Sequence, residues 1–405
     1  MKFLVIAQDL RTSGTSEGIV SRSFIDKLRK SYPDAVIDVL YLKTYASEAH
    51  LHLLPVDSIE EHVLDIKIPL LTIWLNKLYW RFFHESLQYK YIHKVYASYI
   101  SKVDHTKYDQ IFIRSSGLDY ELILACKDLP ILKKAIINFH DPYPLFWYPG
   151  GKQKLTSLEL FKIKEMYEVV SQAKACISPS ILLSNDLAFL FGYRKKFYTI
   201  PHQYSKEVFE LSDNSQVIKK NKKILISYQG ALMFGRNIDV VLEAYFNLIK
   251  NNKELQENTE FVIRIHGDGF VRLFEKYKDN ENIKVLHCLN FSNSSYEQLH
   301  EATINIILEN GPYYSNTLVG KAPFLASIGK PILVVAPQQS ELRNHVTDQR
   351  YIASYDNAQE VQQKLENLIN SSLVSSSIVA PFGDYFGDEN FKLLLKEVFN
   401  ENKQN

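Results

Sequence analysis

The sequence predicts an α/β protein made of two successive doubly wound units, each built on a parallel sheet. Three observations support this: strand-like apolar runs alternate with helical periodicity, a polar stretch over residues 205–223 interrupts the alternation, and the alternation then restarts. The chain has 405 residues, 46% of them hydrophobic, enough for more than one core. We expect two Rossmann-like domains whose strand ends face a central cleft, since ligands bind such sheets beyond the carboxyl ends of the strands.

The first half opens with an apolar run over residues 1–7 that predicts a buried strand. A loop rich in Ser, Thr and Gly follows as far as Gly18, and apolar residues at helical spacing predict a helix over 19–30. This order is typical of the start of a parallel α/β domain. Further strands are predicted at residues 36–42, 110–114, 135–140, 175–177 and 197–200.

The second half repeats the pattern, with a predicted helix over residues 239–250 and a last helix over 389–400. Its strands are predicted at residues 224–228, 260–266, 283–287, 304–308 and 331–335. We therefore predict an N-terminal domain, a C-terminal domain and a terminal helix that packs back on the first domain, with the bounds 1–203, 204–385 and 386–405.

Charge and cysteine usage limit the classes of partner. The net charge is +1, from 47 basic and 46 acidic residues, which gives no overall field to attract nucleic acid. Cys126, Cys176 and Cys288 lie far apart in apolar or strand-like contexts, which predicts reduced, buried thiols. The first apolar run is too short for a signal peptide, and no stretch approaches the ~20 apolar residues of a membrane span. We expect a cytoplasmic protein.

A glycine-containing segment directly follows the first strand of the second half. Gly230 allows backbone N–H groups to approach a phosphate, and the start of the next helix favours negative charge. Arg236 offers a forked, permanently charged donor to a diphosphate. The alternative is an ordinary strand-to-helix turn with a surface arginine.

Two further segments of the second half suit phosphate or nucleoside oxygens. Gly267 and Asp268 follow a predicted strand in a glycine turn, which alone is a weak signal. Hydroxyl and amide side chains then precede a short helix with a lysine at its start, in the order Ser315, Asn316, Thr317 and Lys321. The last segment is not a P-loop, because it lacks the first glycine and the Ser or Thr after the lysine.

Taken in order, these segments resemble the donor-binding domain of GT-B glycosyltransferases, specifically the group 1 (family 4-like) retaining enzymes. The first is similar to their G-x-x-x-x-x-K/R-x-x-D segment, and the second to a strand that ends in G-x-G. The third is similar to N-K-x-x-E-Y-x-A-x-G-K-P-V, with Lys321 and residues 329–331 in register. Residues 175–180 and 200–209 resemble the chain that leads to the interdomain linker. The resemblance implies a GT-B fold, a nucleotide-diphosphate sugar as donor, and donor binding by the residues named above.

The sequence departs from this family at the donor ribose and diphosphate. The family's two glutamates, eight positions apart, are replaced by Asn316 and Phe324, and the first diphosphate arginine is Ala231. Arg236 and Lys321 alone are then left to meet the charge of the diphosphate. The chain is interpreted as a divergent member, with an inactive relative as the alternative.

The first half offers candidates for both ligands. Gly14 and Thr15 lie at the end of the first strand, where the resemblance implies a loop near the donor diphosphate or the acceptor. His140 follows another strand, where family members often have a histidine near the transferred sugar. Asp141 is a candidate to receive the acceptor proton, or begins a turn with the next proline. Arg114 is a candidate for holding an anionic acceptor, with a structural salt bridge as the alternative.

Aromatic and basic residues alternate over residues 68–102. This composition suits a membrane interface or an anionic lipid carrier. It also suits a long amphipathic helix that packs on its own domain. Contact with the inner membrane surface therefore stands as a hypothesis beside the structural alternative.

The predicted function is an EC 2.4 glycosyltransferase that moves a sugar to a cell-surface glycan or lipid-linked acceptor, as in polysaccharide or lipopolysaccharide biosynthesis. No metal or cofactor is expected, because no H-x-x-x-H, Asp-x-Asp or paired-cysteine spacing occurs. One alternative is a non-catalytic GT-B scaffold in a glycan-assembly complex. Another is an NAD(P)-dependent oxidoreductase, although neither half has its G-x-G-x-x-G signature.

Overall fold

The computed structural model describes residues 1–46, 49–117, 119–144, 153–375 and 378–400, except for the side chain of Asp268. The described chain divides into two compact units. The first contains residues 1–144, 153–208 and 387–400, and the second contains residues 209–375 and 378–386. Among the described helices, none has the length and apolar character needed to span a membrane.

The first unit is built on a seven-stranded parallel sheet in the order β3-β2-β1-β4-β5-β6-β7. Its strands are β1 Lys2–Ala7, β2 Val36–Lys43, β3 Ser58–Val63, β4 Gln110–Arg114, β5 Ala135–Asn138, β6 Ala175–Ser178 and β7 Phe197–Thr199. Its first six helices are α1 Ser16–Ser31, α2 Leu70–Phe83, α3 Leu87–Ile100, α4 Glu121–Leu124, α5 Ser157–Gln172 and α6 Ile181–Phe191. The central strands are buried on both faces, as their continuous apolar runs require.

The second unit contains a six-stranded parallel sheet in the order β10-β9-β8-β11-β13-β15 and a separate pair, β12 and β14. The strands are β8 Ile224–Gln229, β9 Thr259–Ile265, β10 Ile283–His287, β11 Ile304–Leu308, β12 Tyr314–Ser315, β13 Ile332–Ala336, β14 Gln339–Ser340 and β15 Ile352–Ser354. The helices are α7 Ile238–Asn251, α8 Lys253–Asn258, α9 Asp268–Tyr277, α10 Phe291–Tyr296, α11 Ala322–Ser327, α12 Glu341–His345 and α13 Ala358–Val374. The two parallel sheets confirm the predicted fold class.

The last helix, α14 Asp388–Asn400, belongs to the first unit. Phe391 packs edge-on against Phe24 of α1 at 5.4 Å between ring centroids. Phe399 stacks on Phe3 of β1 at 6.0 Å. Asp388 forms an ion pair with Lys27 of α1. The chain thus returns to its first unit after completing the second.

A buried arginine joins several loops of the first unit. Arg22 of α1 is fully buried and donates to the backbone carbonyls of Leu10, His50 and Val208 at 2.7–3.1 Å. Burial lowers its pKa to about 10. Ser205, the first residue of the polar stretch, is also buried, and its hydroxyl donates to Asp26 at 2.5 Å.

Several local predictions need correction. The aromatic segment is not one long helix: α2 ends at Phe83 and α3 begins at Leu87, with Ser86 as its N-cap. The first loop is shorter than predicted, because Thr15 caps α1 and the helix already begins at Ser16. Strand β5 ends before His140. Cys126 and Cys176 are buried as predicted, but Cys288 is exposed just beyond β10.

Candidate functional site

The sharpest arrangement in the second unit lies at the carboxyl end of β8. Lys321 Nζ donates to the carbonyl of Gln229, the last residue of the strand, and lies 4.4 Å from the ring centroid of Tyr228. Gly230 follows with a φ of 149°, and an ideal Cβ built there would lie 2.5 Å from Lys321 Nζ. The positive φ favours glycine at this position, and the missing side chain leaves room for the ammonium beside the backbone.

Arg236, two residues before α7, reaches the same turn. Its Nε donates to Asn310 Oδ1 at 3.1 Å and its Nη1 to the carbonyl of Ala231 at 3.2 Å. The hydroxyl of Tyr228 donates to that same carbonyl at 3.1 Å. Asn310 lies two residues beyond β11 and was not predicted as a site residue; its place just after a strand was the available signal.

No carboxylate of the described residues pairs with Lys321 or Arg236. Burial, and then the charge of Arg236, lower the pKa of Lys321 to about 7. Asp239, which lies three residues after Arg236 in the family-like segment, pairs with Arg272 at 2.8 Å instead. Two cationic side chains thus converge with only neutral acceptors, an arrangement that suits an anionic ligand because charges taken out of water need a counter-charge.

The second predicted segment adjoins this turn. Gly267, with a φ of 75°, is the N-cap of α9, and an ideal Cβ on Gly269 would lie 3.1 Å from the side chain of Leu232. The side chain of Asp268 lies outside the described residues. His266 is also exposed there, and its Nδ1 lies 3.3 Å from Cys288 Sγ. Cys288 directly follows β10, and this position after a predicted strand could have placed it at the carboxyl edge of the sheet from the sequence.

The third segment is more buried than its predicted role suggests. Ser315 lies in β12, and Ser315, Asn316 and Thr317 are all buried. The hydroxyl of Thr317 donates to Asn316 Oδ1 at 3.4 Å, whereas Ser315 Oγ has no hydrogen-bond partner among the described atoms. Phe324, in register with the family's second glutamate, packs edge-on against Phe291 at 6.0 Å. An aromatic contact therefore occupies the position that is in register with that glutamate.

In the first unit, Arg114 ends β4 and is only 2% exposed. Its Nε donates to Ser21 Oγ at 3.1 Å and its Nη1 to Asn138 Oδ1 at 3.3 Å, and the guanidinium lies 4.2 Å from the ring centroid of Phe24. Burial lowers its pKa to about 9. Within the described chain, no carboxylate forms the structural salt bridge considered as the alternative for this residue.

His140 lies two residues beyond β5 and is 1% exposed. Its ring stacks on His202 at 5.8 Å, and both of its ring nitrogens lack hydrogen-bond partners among the described atoms. Burial, helped by the charge of Arg114, holds the pKa of His140 well below its ordinary value and lowers that of His202 to about 3. Both rings are therefore neutral at physiological pH. His202 was not predicted as a site residue, although it follows β7 by three positions.

The remaining predicted residues of the first unit have local structural contacts. The hydroxyl of Tyr120 donates to the carbonyl of Asp141 at 2.5 Å and accepts from the Asp141 N–H at 3.2 Å. Thr15 Oγ1 accepts from the N–H of Gly18 at 3.4 Å as the N-cap of α1. Gly14 has a φ of 85°, with open space where a Cβ would stand. The structure therefore joins Gly230, Arg236 and Lys321 in one unit, and Arg114 and His140 in the other.

These two Rossmann-like units, with parallel sheets of seven and six strands, define a protein of the GT-B fold. No protein-family model and no curated protein sequence matches the chain. Solved structures do match it. HepE from Anabaena, crystallised with UDP and glucose, is 12% identical with a TM-score of 0.61, and 98% of each chain is covered.

Two further structures show the range of proteins that share the fold. A glycosyltransferase from Rickettsia africae is 13% identical with a TM-score of 0.57, covering 100% of this chain and 99% of its own. The UDP-GlcNAc 2-epimerase from Neisseria meningitidis, bound to UDP-GlcNAc, is 15% identical with a TM-score of 0.53, covering 99% of this chain and 100% of its own. At these identities the likeness establishes the fold and leaves the activity to the residues themselves.

Proposed function

We propose that this chain is a glycosyltransferase that uses a nucleotide-diphosphate sugar and transfers the sugar to a glycan or lipid-linked acceptor, without a metal and with retention of configuration. The observation that carries the proposal is the convergence of Lys321 and Arg236 at Gly230 with no described carboxylate as partner. The structures of HepE with UDP and of the epimerase with UDP-GlcNAc give independent support for a nucleotide-sugar ligand. The reduced thiols fit a cytoplasmic location.

The chemistry assigned to the second unit is stabilisation of the leaving diphosphate. Negative charge grows on the diphosphate as its bond to the sugar breaks, and Arg236 and Lys321 are already oriented to meet it. The Gly230 N–H donates to the carbonyl of Arg264 at 3.0 Å, so the turn offers the diphosphate its two cationic side chains and not this N–H, contrary to the expectation from the sequence. The leaving phosphate itself accepts the proton of the acceptor hydroxyl, so the reaction does not need Asp141 as a base. The contact of Asp141 with the Tyr120 hydroxyl is made by its backbone.

The chemistry assigned to the first unit is acceptor recognition. Arg114 is a buried cation without a described carboxylate partner, which suits an acceptor with an acidic group. The neutral ring of His140 has one donor and one acceptor nitrogen to offer to sugar hydroxyls, and both are free among the described atoms. A neutral imidazole of strongly lowered pKa positions a hydroxyl but is a poor proton acceptor at physiological pH.

A nucleotide panel tests the proposal. One of UDP, GDP, CDP and ADP is expected to raise the melting temperature without divalent metal, because a ligand at ~100 times its Kd adds about 2.7 kcal/mol to the folded state. The measurement is differential scanning fluorimetry, with NAD as the competing ligand. A Lys321→Ala variant should lose the shift. Stabilisation by NAD alone would contradict the proposal, and stabilisation by no nucleotide would favour the non-catalytic scaffold.

Epimerisation of a nucleotide sugar is the second candidate, favoured by the likeness to the UDP-GlcNAc 2-epimerase. An epimerase converts its nucleotide sugar without an acceptor. A transferase needs an acceptor, to which it joins the sugar while the nucleoside diphosphate is released. The two activities are distinguished by incubating the protein, without acceptor, with a nucleotide sugar of the nucleoside diphosphate that stabilises it. NMR then identifies the sugar. A new sugar epimer in that mixture would replace the transferase proposal.

The affinity for the nucleoside diphosphate is expected to fall as pH rises above about 7. The free protein loses the Lys321 proton near pH 7, whereas a bound diphosphate raises that pKa, so binding at higher pH must take up a proton. Above pH 8, Kd should rise by up to about tenfold per pH unit. Isothermal titration calorimetry in buffers of different ionisation enthalpy measures both the affinity and the proton uptake.

A Lys321→Arg variant is the control for this pH dependence, because a guanidinium stays protonated throughout the range. Its Kd should show no rise between pH 7 and pH 9. A flat profile in the natural protein would exclude Lys321 as the titrating contact.

A further inference from the structure

Helix α2 exposes most of its apolar residues, which is not the polarity expected of a surface helix. Its inward side carries Asn76, whose Oδ1 accepts from Ser86 Oγ at 3.3 Å and from the Gln88 N–H at 3.4 Å. Trp80 packs edge-on against Phe161 of α5 at 5.6 Å. No residue of α2 is fully buried. A helix that served only its own core would turn its apolar residues inward and its polar residues outward.

The outward side of α2 is apolar. Leu70 is 84% exposed, Trp74 76% and Phe82 71%, and further exposed residues are Leu71, Ile73, Leu75, Leu78 and Phe83. Large contiguous apolar surfaces are uncommon on soluble monomers and mark sites of interaction. We refer to these eight residues as the α2 apolar face.

The two charged residues of α2 itself are both positive, whereas the acidic residues next to the helix are paired: Asp65 with Lys67, and Glu85 with Lys90. Residues 66–84 contain Lys67, Lys77 and Arg81 and no acidic residue. Lys77 and Arg81 lie three and seven positions after Trp74, and so lie on the same side of the helix as Trp74. Both are exposed, and neither pairs with a carboxylate of the described residues. An isologous contact with a second copy of the chain would bring these like charges together, whereas an anionic surface would neutralise them.

The length of α2 determines how it can meet a bilayer. Its 14 residues extend about 21 Å, less than the ~30 Å thickness of the hydrocarbon core. A helix with exposed Leu, Trp and Phe beside Lys and Arg lies in the plane of the interface, with its apolar side chains among the acyl chains and its cations at the head groups.

We propose that the α2 apolar face docks the first unit onto the surface of an anionic lipid bilayer. The docking goes beyond the proposed sugar transfer and does not depend on it, because none of the residues involved belongs to the candidate donor or acceptor sites. Its consequence for function is that an acceptor anchored in the same bilayer meets the protein by diffusion in two dimensions.

Vesicle flotation of the full chain, without nucleotide, tests the docking. The vesicles are phosphatidylcholine alone or equal parts of phosphatidylcholine and phosphatidylglycerol. Wild type should float with the anionic vesicles. Removing both cations in K77A/R81A should weaken binding roughly thirtyfold, because each Lys or Arg near such a surface contributes ~1 kcal/mol. L70S/W74S/F82S should weaken it at least about a hundredfold, because three large apolar side chains no longer insert.

The controls are changes of the same chemistry elsewhere on the surface. F189S/Y193S alters two exposed aromatic residues of the first unit, and K250A/K253A removes two exposed cations of the second. Both should float as wild type does. Because every α2 substitution is at an exposed position, circular dichroism should show unchanged melting for all variants.

Three outcomes would overturn the docking proposal. One is a wild-type protein that stays unbound with anionic vesicles. Another is a loss of flotation that is equal in the α2 and control variants. The third is a dimer in size-exclusion chromatography that L70S/W74S/F82S converts to monomer while vesicle binding is unchanged, since the face would then cover a second copy. None of these outcomes affects the nucleotide panel, so failure of the docking and failure of the sugar-transfer proposal are distinguishable.

Discussion

Replacing Lys321 or Arg236 by alanine is expected to reduce turnover by about 100- to 1000-fold in each case, the usual loss when one preorganised donor to a developing negative charge is removed. Both side chains reach the turn at Gly230, and no other cation of the described residues donates there. Turnover is measured as release of the nucleoside diphosphate from the sugar donor identified by the nucleotide panel.

The fold is expected to survive both substitutions. Lys321 is desolvated and its pKa lies below that of an unfolded lysine, so its charged form opposes folding at neutral pH rather than supporting it. The matched control is Arg272→Ala, which removes an exposed arginine of the same unit that pairs only with Asp239. Wild-type turnover in both Lys321→Ala and Arg236→Ala would remove the diphosphate role from this pair.

Replacing Glu297 by alanine is expected to lower the free energy of unfolding by about 3–5 kcal/mol, because it leaves a buried arginine without its counter-charge. Glu297 accepts from Arg264 Nε at 3.0 Å and from Arg264 Nη2 at 2.6 Å, and Gln229 Nε2 donates to it at 2.9 Å. Both charged side chains are buried. Thermal unfolding should show a fall in melting temperature of roughly 6–20 °C.

Two further variants separate the loss of the pair from a general effect of substitution. Glu257→Ala removes an exposed carboxylate 3.8 Å from Lys253 and should change stability by less than about 0.5 kcal/mol. The double variant R264M/E297L replaces the pair by apolar side chains and should be more stable than Glu297→Ala, because no unpaired charge remains. A Glu297→Ala protein that melts with wild type would show that the pair is solvated in solution.

The sequence was sufficient to predict the two parallel sheets because their central strands are short apolar runs, which have few alternative structures. Strand β3, Ser58–Val63, was missed because its acidic residues and partial exposure are those of an edge strand. The division of residues 68–102 into two helices was also missed. The helical pattern continues across the break, and only Ser86, which caps α3, marks it.

The candidate site was predictable where a single segment carries its own signal. Gly230 and Arg236 follow one strand, and Lys321 begins a short helix after a polar loop. The partners of these residues were not predictable, because the order of the strands in a sheet differs from their order along the sequence. Asn310 and Cys288 each follow a strand, but only the observed order shows which strand ends adjoin β8 and β9.

Helix α14 also has a consequence for the order in which the protein is made. Phe391 and Phe399 supply part of the aromatic packing around Phe3 and Phe24, so the first unit lacks this packing until residues 387–400 have left the ribosome. The second unit is contiguous in the described chain and needs no later segment. During synthesis, the second unit can therefore complete its core before the first, in reverse of the order in which the two begin.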